Sequence, residues 1–467
     1  MRVELPETIE GCHSLIKQLL LVIERQQAEI DELKAEVREL NSRLNQNSQN
    51  SNRPPSSDGF QKPKPAFSKK KKRGGGQIGH RGNTLKRVAQ PDVVVDCEPL
   101  DCVCGKPQWT EEVEIGEARQ VFDLPEPRLE VSEYRRIKRV CRCGRIACGE
   151  FPEKVAAPVQ YGEKVQTLAA LLSVHGCLSF RKIGQLFADI YGYQLNEATA
   201  QEMLKRTAQM MPMAEIKAGV SASKVVNFDE TGIKENGKLK WLHNASTEKW
   251  TYQFVHRNRG REAMTDEKSV LSKFFGIAVH DCWGSYFGFD EMKHAVCGAH
   301  ILRELNGIIE TSESKWSVAM KRLLMRMYRK SDFGKGIIRN ISRYEKNYDE
   351  ILSQAEKEEP PPEKRAGRGK MKRTRGRNLL ERLRKHKEAV VRFAKEKEVP
   401  FTNNQAERDI RPAKIKQKMN GGFRAASGTE SYCRINSVIS SLRKQSRPVF
   451  QELLSLIEGK RFEIYRT

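Results

Sequence analysis

The chain has 467 residues, enough for two or three domains with cores of their own. Its 84 basic and 60 acidic residues give a formal net charge of +24, and so large a surplus favours a polyanionic partner. No apolar run is long enough to span a bilayer, and the first residues, MRVELPETIE, lack the apolar core of a secretory signal, so nucleic acid is a better candidate than a membrane. The eleven cysteines are clustered, which favours metal binding or core burial over disulfides.

Residues 1–47 are predicted to form a coiled-coil helix. The two core positions of its heptad repeat are occupied by Ile16, Ile23, Ile30, Val37 and Leu44, and by Leu19, Gln26, Leu33 and Leu40. β-Branched residues at the first position and leucines at the second favour a parallel two-stranded coil, so we expect a homodimer or a higher oligomer. The alternative is an amphipathic helix that packs on its own domain.

Residues 48–90 are predicted to be a disordered basic linker, because they are rich in Asn, Ser, Pro, Gly and Lys and poor in apolar residues. The linker contains five consecutive basic residues, Lys69, Lys70, Lys71, Lys72 and Arg73. This block could follow DNA phosphates, or it could serve only solubility.

Residues 91–155 are predicted to form a small zinc-binding β domain that resembles a zinc finger. Two short motifs, CVCG and CRCG, supply the four predicted ligands, Cys102, Cys104, Cys141 and Cys143. Two such pairs can close one tetrahedral structural Zn²⁺ site, and the glycine after each pair allows a tight turn. Cys97 and Cys148 are alternative ligands, and free thiols without metal are the other interpretation. Between the pairs, alternating apolar and polar residues predict strands.

Residues 156–218 are predicted to form a helical domain. The pattern indicates a helix, a break at Gly192 and a second helix capped near Asn196. This is the spacing of a helix-turn-helix. It predicts either a DNA-binding element or a helix pair that supports the next domain.

Residues 219–445 are predicted to form an α/β catalytic domain. KVVNFDETG predicts a first strand that ends in Asp229, KLKWLHNAST and KWTYQFVHRNRG predict two more, REAMTDEKSVLSKF predicts a helix, and FGIAVHDCWGSY predicts a fourth strand that ends in Asp281. A right-handed crossover would make the first and fourth strands parallel neighbours. Both acids would then meet at the carboxyl edge of the sheet, the usual place for a site.

Two neighbouring carboxylates repel each other and are stable near neutral pH only with cations between them. Oxygen ligands suit Mg²⁺ or Mn²⁺, and a third carboxylate would complete a two-metal site for phosphodiester cleavage and transfer. Glu407 is the candidate for this third acid. Its segment, NNQAERDIR, predicts a helix capped by Asn403 or Asn404 and ended or kinked by Pro412.

On this helix, the spacing places Asn404, Glu407, Arg408 and Arg411 on one face. The acid could therefore hold metal while the basic residues hold DNA. The predicted DNA-contacting residues of this region are Arg408, Arg411, Lys414, Lys416, Lys418 and Arg424. Taken singly, each of the three acids is more often a turn residue or part of a solvated ion pair.

Residues 311–400 are predicted to be a helical insertion in the catalytic domain. Within it, Lys364–Arg377 is predicted to be a mobile basic loop that contacts DNA, with a solvated linker as the alternative. Before it, Cys297 and His300 have the spacing of two metal ligands on one helical turn, although a helix that packs on the sheet explains the same pattern. Residues 446–467 are predicted to form a C-terminal helix on the core.

These motifs resemble those of the transposases of the insertion sequence sixty-six family. The segments that carry the resemblance are PPSSD, GGGQIGHRGNTL, DETG, GKLKWLHNAST, HDCWGSYF, HAVCGAHILREL and PFTNNQAERDIRPAKIKQKMNGGFR. The resemblance implies a bacterial, cytoplasmic, nucleoid-associated enzyme with an Asp-Asp-Glu triad, Asp229, Asp281 and Glu407, on a ribonuclease-H-like fold. It also implies a leucine-zipper-like N-terminus and a zinc-finger role for the cysteine pairs.

The function implied by the resemblance is DNA transposition with two Mg²⁺ or Mn²⁺ ions. Water would free a 3′-hydroxyl at the end of the element, and this hydroxyl would attack target DNA. The implied partners are the terminal repeats, target DNA and small accessory transposition proteins. His300, near the scissile phosphate, and Asn404 would support the active site, whereas Thr402 stands where the family commonly has Asp. The alternatives are a non-catalytic DNA-binding dimer, either a decayed transposase or a regulator, and a plain nuclease of the same fold.

Overall fold

The structure is a computed structural model, and it describes residues 8–51, 58, 85–98, 103, 105–106, 108–111, 113, 115, 117–312, 314–362 and 373–462. The predicted phosphate-following block, Lys69 to Arg73, and two of the predicted zinc ligands, Cys102 and Cys104, lie outside these ranges. None of the helices within them combines the length and the hydrophobicity that a membrane span requires.

The predicted N-terminal helix is confirmed. Helix α1 (Ile9–Leu44) spans 36 residues and begins at a Thr8 cap, whose Oγ1 accepts a hydrogen bond from the Gly11 backbone N–H. Its heptad side chains are exposed; Ile23, for example, keeps 58% of its surface and Leu33 keeps 54%. A continuous exposed apolar seam is unfavourable in water and is the kind of surface that a partner covers. The pairing of two such helices stays a prediction.

Cys141 and Cys143 lie in the turn of a small antiparallel hairpin, formed by β1 (Lys138–Val140) and β2 (Ile146–Cys148). Gly144 completes the turn at a φ of +82°, a conformation that glycine adopts without strain. The prediction of strands between the cysteine pairs is wrong for residues 117–137, which contain none. Alternation favours a strand only when one face is buried, and here side chains such as Val121 and Leu124 stay exposed.

The predicted helical segment is confirmed. It contains four helices: α2 (Glu163–Val174), α3 (Phe180–Tyr191), α4 (Glu197–Gln209) and α5 (Met213–Ser221). As predicted, α3 ends at Gly192, with a φ of +72°, and Asn196 caps α4 by accepting a hydrogen bond from the Ala198 N–H. Helix α4 buries Met203 and Leu204, and its Ala208 carbonyl accepts a hydrogen bond from Arg434. This packing is what the supporting role predicts.

Five strands form the central sheet: β3 (Val225–Glu235), β4 (Lys238–Ser246), β5 (Thr251–His256), β6 (Ile277–His280) and β7 (Lys293–Val296). Their order is β5-β4-β3-β6-β7. Strands β3, β4 and β5 form an antiparallel meander, and β6 and β7 continue the sheet in parallel with β3. The predicted parallel pairing of the first and fourth strands is therefore confirmed.

Two details of the sheet differ from the prediction. Strand β3 does not end at Asp229 but continues to Glu235, because its residues from Asn227 to Glu235 all pair with β4. Its parallel pairing with β6, in contrast, stops at Asn227. Strand β7 was not predicted, since its four residues give too short a pattern to separate from the helix that follows.

Helices cover the rest of the fold. They are α6 (Arg261–Thr265), α7 (Gly298–Thr311), α8 (Lys315–Lys330), α9 (Ile341–Glu358), α10 (Arg375–Lys385), α11 (Lys387–Val391), α12 (Asn404–Asn420), α13 (Ala426–Lys444) and α14 (Val449–Ile457). Helices α8 to α11 confirm the helical insertion. Helix α6 is shorter than predicted, and the predicted C-terminal helix is α14, which begins after Pro448.

Helix α12 also differs from its prediction. It runs through Pro412 to Asn420, so the proline does not end it. The buried side chains of Ala413 and Lys416 hold the following turns against neighbouring elements, and this packing outweighs the local cost of the proline.

The segment after α1 packs on α7 and is ordered at residues 48–51, where a disordered linker was predicted to begin. The Asn50 side-chain amide donates a hydrogen bond to Glu310, and the Asn306 amide donates one to the Gln49 carbonyl at 3.2 Å. A Cβ on Gly307 would lie 2.5 Å from the Asn50 carbonyl oxygen, so glycine permits this close approach. The base of α1 is thereby fixed to α7.

Two large hydrophobic clusters flank the sheet. The first joins β3, β4 and β5 to α13 and α14, and it also takes in Ala170, Leu204 and Ile216 of the helical segment. The second joins β6 and β7 to helices α7 to α11. The helical segment therefore shares a core with the sheet.

Candidate active site

The three predicted acids come from separate elements that meet at one edge of the sheet. Asp229 lies in β3 just beyond its pairing with β6, Asp281 directly follows β6, and Glu407 is in the first turn of α12. Burial, together with the negative charges of Glu230, Asp281 and Glu407, raises the pKa of Asp229 well above its ordinary value. The structure thus brings Asp281 and Glu407 close enough to Asp229 to disfavour its charged form.

A fourth carboxylate, Glu230, was not predicted from the sequence. Its side chain is 1% exposed and accepts hydrogen bonds from Arg259 Nε at 2.7 Å and from Tyr286 OH at 2.6 Å. Burial raises the pKa of Glu230, although the hydrogen bonds from Tyr286 and Arg259 oppose that shift. Because Arg259 and Tyr286 both donate hydrogen bonds to its carboxylate, Glu230 holds Arg259 in place and does not act as an unpaired acid.

Arg259 extends from this anchor to the edge of the site. Its guanidinium nitrogen lies 3.9 Å from Asp281 Oδ2, and its Cζ lies 4.2 Å from the ring centre of Trp283 and 5.1 Å from that of Trp241. Cation–π contacts of this kind hold a guanidinium in place. Nothing in the local sequence distinguishes Arg259 from the exposed Arg257, because its partners lie on other elements.

Glu407 faces the start of α7. Its Oε1 lies 4.0 Å from His300 Nδ1, and both atoms are buried without a hydrogen-bond partner. Cys297, which immediately precedes α7, completes a group of three whose ligand atoms all lie within 4.8 Å of one another. The residue pair that had metal-ligand spacing in the sequence is therefore adjacent to the third predicted acid.

The charges of this group support one another. Burial disfavours a charged imidazole, but the Cys297 sulfur and the Glu407 carboxylate outweigh it and raise the pKa of His300 to about 9. Burial likewise disfavours a thiolate, yet His300 and the Asn403 N–H lower the pKa of Cys297. The two acidic groups beside His300 therefore favour its charged form.

Asn403 fixes the start of α12. Its Nδ2 donates to the Phe228 carbonyl at 2.8 Å, its Oδ1 accepts from Asn227 Nδ2 at 2.9 Å, and its backbone N–H donates to Cys297 Sγ at 3.1 Å. Asn403 occupies the predicted cap position, but its side chain does not cap the helix. These bonds instead tie α12 to β3 and α7, which sets the position of Glu407.

Most of the predicted DNA-contacting residues of this region are exposed, namely Arg408, Arg411, Lys414, Lys418 and Arg424. Asn404, which was predicted to support the active site, is exposed as well. Lys416 differs from the prediction, because it is buried and its Nζ donates to the Ser173 carbonyl at 2.7 Å. Arg377 also differs, since it lies in α10 and pairs with Glu356 and Glu381. Neither side chain is available to DNA in this arrangement.

The donor set at the edge of the sheet suits a hard divalent cation. Oxygen atoms are the ligands that Mg²⁺ and Mn²⁺ prefer. Arg259 compensates Glu230 and part of the charge of Asp281, whereas Glu407 keeps a buried oxygen without a hydrogen bond. Burial and, after it, repulsion from the neighbouring acids raise the pKa of Asp229, and a bound cation would relieve that repulsion.

Comparison with known families gives two matches. Residues 158–431, well over half of the chain and including all three acids, match the family described as Transposase IS66 family. Residues 4–86 match a family of unknown function (DUF6444). The predicted zinc-binding segment, residues 91–155, lies outside both matches. Comparison with curated proteins gave no match.

Proposed function

Because the chain belongs to the IS66 family of transposases, we propose that it cleaves DNA at the ends of an insertion sequence and transfers the cut strand into target DNA. One observation carries this proposal. Asp229, Asp281 and Glu407, which lie far apart in the family-matched residues, are near enough that the last two raise the pKa of the first.

The order of the strands supports a ribonuclease-H-like fold for this catalytic domain. A meander of three antiparallel strands is followed by two parallel ones, which gives the order β5-β4-β3-β6-β7. The acids lie where β3 and β6 separate and where α12 begins. In sheets of this kind, sites form at the carboxyl ends of the parallel strands.

In the proposed mechanism, Asp229, Asp281 and Glu407 hold two Mg²⁺ or Mn²⁺ ions. Such ions, when bound, activate the attacking oxygen and stabilise the leaving oxygen. Arg259, anchored by Glu230, presents a partly exposed positive charge beside Asp281 and is placed to contact the phosphate. The exposed basic residues of α12 hold the DNA backbone next to the acids.

The reaction needs no covalent protein intermediate. Water attacks a phosphodiester at the end of the element and frees a 3′-hydroxyl. This hydroxyl then attacks a phosphodiester of target DNA, so that one P–O bond forms as another breaks. The protein residues orient the two strands and stabilise the charge on the phosphate.

A strand-transfer assay with labelled element ends tests the proposal. We expect the wild-type chain to cut and join DNA in Mg²⁺, and Asp229→Asn to abolish both steps while it retains DNA binding. Cleavage by Asp229→Asn would remove this acid from the site. Binding without cleavage by the wild type would indicate the non-catalytic dimer, and cleavage without joining would indicate a nuclease.

The outer parts of the chain complete the proposal. We assign α1 to pairing of two copies, which would bring two element ends together, and its exposed heptad seam supports this role. We assign Cys141 and Cys143, with Cys102 and Cys104, to a structural Zn²⁺ site. The hydrogen bond from the Cys143 backbone lowers the pKa of Cys141, which favours the thiolate form that binds metal. Metal analysis of the purified protein tests this assignment.

A further inference from the structure

We propose that Cys297, His300 and Glu407 form a second metal site, selective for a thiolate-binding divalent cation such as Zn²⁺, and that its occupation withdraws Glu407 from Asp229 and Asp281. The site differs from the proposed Mg²⁺ site in its ligands and shares only one residue with it. Because both sites use Glu407, they compete for its carboxylate.

The geometry of two helix starts brings the three ligands together. Cys297 precedes α7, His300 lies in its first turn, and Glu407 lies in the first turn of α12. Ligand atoms in a tetrahedral zinc site lie about 3.3–3.7 Å apart, given its metal–ligand distances. The Nδ1–Oε1 distance of 4.0 Å therefore needs to shorten by only about half an ångström.

Close packing at Gly298 makes this convergence possible. A Cβ at this position would lie 2.3 Å from the Phe401 ring, and the Gly298 N–H donates to the Phe401 carbonyl. The start of α7 therefore contacts the segment that leads directly into α12. This contact places Cys297 beside the Asn403 N–H and within reach of Glu407.

The unsatisfied atoms of the group point to a missing cation. Among the described residues, His300 Nδ1 and Glu407 Oε1 are both buried and have no hydrogen-bond partner, which is costly for polar atoms. A cation bound between them would satisfy both. Cys297 Sγ already accepts the Asn403 N–H at 3.1 Å, the type of bond that orients a metal-bound sulfur.

The ligand types decide which cation binds. Sulfur and imidazole nitrogen favour Zn²⁺ and Co²⁺, whereas Mg²⁺ prefers oxygen throughout. Three protein ligands leave a fourth position for water. The metal enters from the side of Glu407 and His300, whose side chains are 22% and 16% exposed, because Cys297 is fully buried.

The proposal that Zn²⁺ or Co²⁺ binds at this site rests on the geometry alone. The proposal that this binding inhibits DNA cleavage rests on the proposed function. If Glu407 serves the Mg²⁺ site in DNA cleavage, Zn²⁺ antagonises cleavage without competing for Asp229 or Asp281. Excess Mg²⁺ does not restore activity, since it binds sulfur poorly.

The binding test uses the full chain without DNA and titrates it with Co²⁺, whose thiolate complexes absorb in the near ultraviolet. Other cysteines contribute their own absorption, so the comparison is between Cys297→Ser and Cys433→Ser, a control that also removes a buried thiol. We expect Cys297→Ser to lose one equivalent of bound Co²⁺ and Cys433→Ser to lose none. Equal stoichiometry in the two variants would overturn the proposal.

Glu407→Gln provides a second variant that keeps the shape of the site, should Cys297→Ser fail to fold. We expect its Co²⁺ affinity at this equivalent to fall at least about 10-fold. An unchanged affinity would exclude Glu407 as a ligand and so overturn the shared site.

The activity test adds micromolar Zn²⁺ to the cleavage reaction in excess Mg²⁺. We expect inhibition of the wild type and of Cys433→Ser, and resistance of Cys297→Ser relative to its own activity in Mg²⁺ alone. Equal inhibition of all three would refute the antagonism. A chain that binds the Co²⁺ equivalent through Cys297 but never cleaves DNA would refute the proposed function and leave the metal site intact.

Discussion

Two acids on α12, Glu407 and Asp409, are two residues apart and have opposite surroundings. Asp409 Oδ2 accepts hydrogen bonds from Ser246 Oγ at 2.6 Å, Thr251 Oγ1 at 2.8 Å and Lys444 Nζ at 2.6 Å. Glu407 has a buried oxygen without any such bond. Two residues on a helix point about 200° apart, so each acid meets a different part of the molecule.

The difference shows how one helix can serve two purposes. Asp409 joins α12 to β4, β5 and α13, and Lys444 neutralises its charge, so this acid stabilises the packing of α12. Glu407 has a buried oxygen that no described residue hydrogen-bonds, and His300 faces it at 4.0 Å, so this acid can bind a ligand at a cost in stability. The partners of each side chain, rather than its residue type, decide its role.

The sharpest way to test this contrast is Glu407→Gln. We expect DNA cleavage to fall by about 1,000-fold, which corresponds to about 4 kcal/mol of transition-state stabilisation. The free energy of unfolding should change little, because Glu407 Oε1 has no hydrogen bond to lose among the described residues, although its attraction to His300 is lost. Single-turnover cleavage and urea denaturation measure the two effects. Glu430→Gln, an exposed acid on α13, is the control and should change neither.

The converse change is Asp409→Ala. We expect the free energy of unfolding to fall by about 3–5 kcal/mol, because Lys444 remains buried without its acidic partner. Urea denaturation measures this loss. Glu398→Gln breaks the exposed pair with Lys224 and should change stability by less than about 1 kcal/mol. A loss in Asp409→Ala no larger than that of the control would contradict the contrast.

Asp229 allows a test of the repulsion in the site. Its pKa is raised in the folded chain, so the stability that its protonated form contributes is complete at acidic pH and is lost as pH rises through the raised pKa. Without metal, Asp229→Asn should therefore melt about 2–4 °C above the wild type at neutral pH, a gap that narrows on acidification. Added Mg²⁺ should stabilise only the wild type. Thermal melts across pH, with and without chelator, measure this gap, and parallel curves would show that the pKa of Asp229 is not raised.

The smallest expected effect separates two lysines of α12. Lys418 is exposed and Lys416 is buried against Ser173. Lys418→Gln should lower the slope of log affinity against log salt by about 1, the value for one lost phosphate contact. Lys416→Met should leave the slope unchanged, although it alters stability. DNA-binding isotherms at several salt concentrations measure both, and a change of slope in Lys416→Met alone would reverse the assignment.

Local patterns predicted a large part of this fold. The parallel pairing of the first and fourth strands, the helix break at Gly192 and the cap at Asn196 all follow from residue spacing and turn chemistry. Asp281 at a strand end and Glu407 at a helix start could be placed for the same reason, whereas Asp229 lies within β3 and not at its end as predicted.

Tertiary contacts decided the rest. Glu230 of β3 pairs with Arg259, which follows β5, and Asn403 bonds to residues more than a hundred positions away, so no local signal could reveal them. Lys416 has the sequence context of a DNA-binding residue and is nevertheless buried by α2. Residues 117–137 form no strands despite their alternating pattern, because no element of the described residues covers their apolar side chains.

The close fit of Asn50 on Gly307 has a mechanical consequence. Helix α7 carries His300 near its start and contacts the segment after α1 near its end, so it connects the two. A 36-residue helix is about 54 Å long and acts as a lever arm on its pivot. A force on the far end of α1 would therefore act through α7 on His300, which lies beside Glu407.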